Sequence, residues 1–262
     1  MSDSIQISEN NLSIAWLKGL AEVLTHPNVP LCLSVFGLEN GIQEDSHIRE
    51  TLNALLAGRG EVSIRETSET LFPYNFWLSK QPSSSELASW YTDRYLPRHR
   101  ARVKKVKQGT PRETYFERLI AYPGFQESQS GITPVKINQL DRIISTYTHY
   151  SAKGKNPSPS KYIATCLNPS VDNVGLSPYV PFPCLQQVGF SFVGGSITVN
   201  GFYTIQYLMK RGYGNYLGLC YLGQFMSKET GLPLARVNCF VGNPRVDGFS
   251  KKMLSPLLNL MP

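Results

Sequence analysis

The stretch PFPCLQQVGFSF, residues 181–192, sets a cysteine directly after a proline and at the foot of an apolar, β-leaning run. Two readings of Cys184 follow. A thiol held at the start of a strand is a candidate nucleophile, because a thiolate attacks electrophilic carbon strongly once the proton is gone. A free cysteine is also a small hydrophobe that fills core space. The five cysteines, at 32, 166, 184, 220 and 239, are odd in number and form no C-x-x-C pair, which argues against a disulfide framework and a zinc site. Reduced thiols, a cytoplasmic location and no metal are therefore expected.

Other candidate chemistry lies in the charges. The net charge of +7 is concentrated in RHRARVKKVK, residues 98–107, where the spacing of Arg98, Arg102 and Lys105 against Val103 and Val106 suits a helix with a solvated basic face. A nucleic-acid patch is the alternative, but this stretch shows no interleaved aromatics, so nucleic acid is not the expected partner. Arg245 and Asp247, in GNPRVDG, read as a surface pair or as a contact to an anion. No apolar run reaches the roughly 18 residues of a membrane span, so no membrane is expected either.

These groups need elements to hold them. With 262 residues, 41% of them hydrophobic and 17% charged, the chain is long enough to bury a full core, and one domain over residues 1–262 is expected. Apolar spacing predicts helices over 12–26, 47–58 and 135–151, and a serine-capped helix from Ser83 that kinks or restarts at Pro97. Residues 114–124 stay ambiguous between helix and strand. Strands are predicted over 31–37, 161–167 and 234–242, with 185–195 and 196–205 as an antiparallel pair turning at Gly194-Gly195. A buried helix over 213–231 ends at Gly231. Helices followed by a strand-rich half imply an α+β fold, a mixed sheet packed against helices.

Several segments then form a pattern: SVFG (34–37), TYFERL (114–119), NQLDRII (138–144), NPSPSKYIATCLNP (156–169), PC (183–184) and GYGNYLGLCYL (212–222). In order and spacing they resemble the thymidylate synthase family, including its pyrimidine hydroxymethylase relatives. The resemblance implies a thymidylate-synthase-like fold in which Cys184 adds to C6 of a pyrimidine, so that C5 can attack a one-carbon unit carried by methylenetetrahydrofolate. It places Tyr115 where protons move near C5, Asn215 where an amide reads the pyrimidine edge, and Asn138 at a position that is often acidic. Glu69 is a candidate for the family's early glutamate, with Glu50 as the other. A homodimer joined sheet to sheet is implied too, with Lys161 reaching the neighbour's pocket.

The departures bear on substrate. The family's four phosphate-binding arginines correspond here to Pro27, Ser160, Lys161 and Thr204, so one cation remains. Each lost charge-assisted bond costs about 1.5–3 kcal/mol of phosphate binding, which argues against ordinary dUMP. The histidine–tyrosine pair that holds the sugar hydroxyl becomes Arg245 and Asp247, and the histidine that commonly follows the cysteine becomes Leu185. The chain stops at Pro262, short of the family's folate-closing segment. The expected function is a divergent enzyme that modifies C5 of a pyrimidine base, nucleoside or nucleotide by methyl or hydroxymethyl transfer. The alternative is a catalytically silent pyrimidine-binding or scaffold protein.

Overall fold

A computed structural model of the protein describes residues 4–107, 113–128, 131–155, 157–173 and 183–262. Pro181, Phe182 and Asn156 of the segments above lie outside these residues, as do the side chains of Lys105, Val106 and Lys107.

The N-terminal part alternates strand and helix: β1 (Ile5–Glu9), α1 (Leu12–Thr25) and β2 (Leu31–Phe36). Asn11 starts α1 by accepting from the backbone N–H groups of Ser13 and Ile14. Helices α2 (Ser46–Ala57), α3 (Ile64–Glu69), α4 (Tyr74–Lys80) and α5 (Ser84–Trp90) follow. Ser83 and Glu86 close a capping box at the start of α5, as their spacing predicts. A π-helical turn over Tyr91–Tyr95 then leads into α6 (Leu96–Lys107). The proline ring at 97 would clash with the carbonyl four residues back, and a widened turn just upstream relieves that contact.

The ambiguous segment splits into α7 (Tyr115–Ile120) and β3 (Tyr122–Ser128), and β3 pairs with β4 (Gly131–Ile137) as a separate antiparallel ribbon. The predicted helix over 135–151 is thereby shortened to α8 (Gln139–Ser151), because Val135 and Ile137 pair with Gly124 and Tyr122. Strand β5 (Ile163–Thr165), the short α9 (Pro169–Asp172), β6 (Leu185–Val193), β7 (Ser196–Tyr207), α10 (Tyr213–Thr230), β8 (Leu234–Arg245) and α11 (Lys251–Leu258) complete the chain. Gly194 and Gly195, at φ of 62° and 72°, supply the left-handed turn that the β6–β7 hairpin demands.

Six strands form a mixed sheet in the order β1-β2-β8-β7-β6-β5, with β1–β2 and β7–β8 parallel and the remaining pairs antiparallel. Strand alternation gives the sheet two unlike faces. Leu31, Leu33 and Val35 of β2 and Val237, Cys239 and Val241 of β8 are buried, in one continuous hydrophobic core with residues of α1, α2, α3 and α10. On the opposite face, Phe36 and Phe240 are exposed and Phe202 half-buried.

Helix α10 is pressed between this core and α3. A Cβ on Gly214 would stand 2.6 Å from Thr67 Cβ and 2.8 Å from the Ile64 carbonyl oxygen, so only glycine permits this approach. Among the described residues no helix is long and apolar enough to cross a membrane, and no cluster of three His, Cys, Asp or Glu side chains could hold a metal.

Candidate active site around Cys184

Cys184 sits one residue before β6, its carbonyl accepting 3.2 Å from the Thr204 N–H of β7. A register shift between Leu185 and Gln187 bends the strand at this point. The thiol is half-buried, unlike Cys166, Cys220 and Cys239, which are fully enclosed. Tyr115, the first residue of α7, comes up against it: its phenol hydrogen-bonds the thiol, and the backbone N–H groups of Cys184 and Leu185 donate to the phenol oxygen.

Arg211 supplies a second influence that the sequence does not announce. It lies in another π-helical turn, Leu208–Gly212, which carries the chain from β7 into α10. The indole N–H of Trp16 in α1 donates to the Leu208 carbonyl at 3.0 Å at the start of this turn. The Arg211 guanidinium donates to Thr67 Oγ1 at 3.3 Å, and its charge reaches Cys184. Burial pushes the Cys184 thiol above its ordinary value, while the Tyr115 hydrogen bond and the Arg211 charge pull it back. Cys166, wholly enclosed, is pushed up to about 12. Of the five thiols, Cys184 alone combines partial exposure with both a hydrogen-bonding phenol and a nearby cation.

The other sequence candidates are distributed as follows. Asn215, in the first turn of α10, is 3% exposed and its amide makes no hydrogen bond to another described residue. Glu69, at the end of α3, accepts from the backbone and side-chain nitrogens of Asn75, and burial raises its carboxyl pKa against those bonds and the Arg65 charge. Asn138 caps α8, its Oδ1 accepting from Asp141 N at 3.1 Å. Lys161 is exposed on a 3-10 turn, Pro159–Tyr162. Arg245 and Asp247 do not pair with each other: Arg245 donates to Asn28 Oδ1 at 2.5 Å, whereas Asp247 faces Lys210 at 3.7 Å. Burial raises the Asp247 carboxyl, opposed by backbone N–H groups and by Lys210. Gln206, 1% exposed beside this corner on β7, has neither amide atom hydrogen-bonded among the described residues.

No protein-family model matches the chain, and no curated protein matches it. Among solved structures, a thermostable thymidylate synthase A from Bacillus subtilis is similar at 16% identity and a TM-score of 0.35, over 42% of this chain and 36% of its own length.

A reduced pterin presents paired N–H donors that call for a free carboxylate. The carboxylates that feel the Arg211 charge are engaged: Glu61 with Lys210 at 2.8 Å, and Glu66 with the Ser63 N–H and hydroxyl. Glu69 is engaged by Asn75. Glu61, Glu66 and Glu69 are therefore not free for such donors, and no step below is routed through methylenetetrahydrofolate.

Proposed function

We infer that the protein is a divergent thymidylate-synthase-like enzyme acting on C5 of a pyrimidine that is not ordinary dUMP. The observation that carries this reading is the meeting of Cys184, Tyr115 and the Arg211 charge, since a phenol and a cation both favour the thiolate over the thiol. The motif pattern along the chain supports it independently.

In the proposed reaction the Cys184 thiolate bonds to C6, and the electrons of the C5–C6 double bond move onto O4 as an enolate. C5 then bonds a one-carbon electrophile at the oxidation level of formaldehyde. Loss of the C5 proton to a base and departure of the thiolate restore the ring, leaving a hydroxymethyl group; a methyl product needs a hydride in addition. Tyr115 and Glu69 are assigned the protons at C5. The Asn215 amide, both donor and acceptor on one plane, is assigned the pyrimidine edge, and its lack of a protein partner supports that role. Lys161, Arg245, Asp247 and Asn138 are assigned to the remaining substrate contacts. A homodimer is proposed on the bare outer sheet face, where Phe202 and Phe240 stack at 5.2 Å.

The test is intact-protein mass spectrometry after incubation with 5-fluoropyrimidine base, nucleoside and monophosphate, with and without methylenetetrahydrofolate. Release of tritium from the 5-tritiated pyrimidines is followed in parallel, because addition at C6 alone exchanges that position. An adduct or exchange that needs Cys184 and vanishes in Cys184→Ser is expected. Neither signal with any pyrimidine would overturn the reading. The burial-raised thiol favours a second reading, a pyrimidine-binding or scaffold protein without turnover, for which Cys184→Ser leaves ligand affinity unchanged.

A further inference from the structure

Arg118 takes no part in the chemistry above, and its burial calls for a reason. Only 4% of its side chain is exposed. Its fork donates to both Asp172 oxygens, at 2.8 and 3.3 Å, its Nε meets Glu113, and Nη1 reaches the Cys166 carbonyl at 3.4 Å. Asp172, 6% exposed at its side chain, also accepts from the Asn168 N–H at 2.7 Å. Taking two charges out of water is costly, and an apolar pair of like volume often holds a fold as well or better. What the ionic clamp adds is direction, because a guanidinium fork fits a carboxylate in one plane.

That direction bears on the thiol. Tyr115 and Arg118 are three residues apart in α7 and so share one face of the helix. With six residues, α7 has fewer than two turns and depends on its surroundings for its rotation. Phe116, Leu119 and Ile120 bury it in the core, but apolar burial is non-directional. Arg118 supplies the missing constraint. The Cys166 residue whose carbonyl it holds donates its own N–H to the Gln186 carbonyl at 2.8 Å, and the Gln186 amide donates to the Pro183 and Cys184 carbonyls at 2.7 and 3.5 Å. A chain of hydrogen bonds thus runs from the helix that carries the phenol to the backbone that carries the thiol. Gln139 of α8 braces it, donating to the Arg118 and Thr165 carbonyls at 2.9 and 2.8 Å.

We propose that Arg118 is a positioning residue: through Asp172 and the Cys166 carbonyl it holds α7 at the rotation that keeps the Tyr115 phenol on the Cys184 thiol. The proposal rests on the Cys184–Tyr115 pairing of the reading above, and its test needs no pyrimidine, so a failed adduct experiment and a failed clamp are told apart. Among the described residues the side chains that act on the thiol are Tyr115 and Arg211, not Arg118, Glu113 or Asp172. A response of the thiol to Arg118 therefore passes through the placement of another group, and a double-mutant cycle shows whether that group is Tyr115.

The quantity read is the midpoint pH of Cys184 alkylation by iodoacetamide, followed by peptide mass spectrometry. The clamp is removed as a pair, Arg118→Met with Asp172→Asn, so that neither buried charge is left alone and an oxygen remains for the Asn168 N–H. Glu113, 31% exposed at its side chain, is then served by water. Tyr115→Phe alone should raise the midpoint by about one pH unit, near the lower end of what a hydrogen bond to a charged group contributes. Removing the clamp should raise it as far, and Tyr115→Phe added to that variant should do nothing more. Circular dichroism establishes folding; if the pair unfolds, Arg118→Lys, which keeps the charge and loses the fork, takes its place in the cycle. Two results overturn the proposal: a midpoint unmoved by loss of the clamp, or a full Tyr115→Phe shift in a folded protein that lacks it. If Tyr115→Phe leaves the wild-type midpoint in place, the pairing itself falls and the proposal with it.

Discussion

At the scale of single residues, the state of Cys184 is set by three opposed effects, and the sign of each is known. Burial disfavours the thiolate; the Tyr115 hydrogen bond and the Arg211 charge favour it. Alkylation of Cys184 by iodoacetamide, followed by peptide mass spectrometry, should therefore rise with pH through a midpoint above the roughly 8.5 of a free thiol. Removing either favourable partner should move that midpoint further up, so Arg211→Gln and Tyr115→Phe both need a more alkaline solution for the same rate. A midpoint that neither substitution moves would show that the thiol does not feel them. Cys184 and Tyr115 were legible in the sequence because the segments around both carry a pattern in chain order. Arg211 was not, since its position depends on a π-helical turn that leaves no mark on hydrophobic periodicity. The separation of Arg245 from Asp247 was equally hidden, because partners from distant segments, Asn28 and Lys210, take one each.

At the scale of elements, α10 is the piece whose placement matters most, because it carries Asn215 and follows directly from the turn that holds Arg211. Gly214→Ala inserts a methyl where Thr67 and the Ile64 carbonyl already stand, and α10 must move off α3 to admit it. Overpacking of this kind costs about 1–3 kcal/mol, partly offset by about 1 kcal/mol of helix propensity. Urea denaturation should thus show a net loss of stability, and a stabilised Gly214→Ala would mean the contact with α3 is looser than described. Strong local signals made most elements readable: apolar spacing marks α1, the Ser83–Glu86 box starts a helix, Gly231 at φ of 73° stops one, and the paired glycines turn the β6–β7 hairpin. Strand β1 and the β3–β4 ribbon went unread. IQISE is too short for a period of two to stand out, and Val135 and Ile137 fit a helical stripe as well as a strand until a pairing partner chooses between them.

At the scale of the whole molecule, the sheet has helices on one side and a bare face on the other, with Arg236 over the Phe36 ring and an Asn238–Asn200 amide bond of 2.9 Å at its middle. If that face pairs with a second copy, sedimentation velocity should give twice the 29.3 kDa of one chain. Phe240→Asp, which sets a carboxylate in the contact, should then yield a folded monomer. A wild-type monomer would count against the dimer. The strand order carries one more consequence, for synthesis. β8 lies between β2 and β7, so the N-terminal pair β1–β2 has no neighbour on its inner edge until residues 234–245 have been made. Until then a growing chain presents two unpaired edges, β2 and β7, each able to recruit a foreign strand. The last strand is in this sense a closing wedge, and the interval before it arrives is when a nascent chain has most to gain from a chaperone.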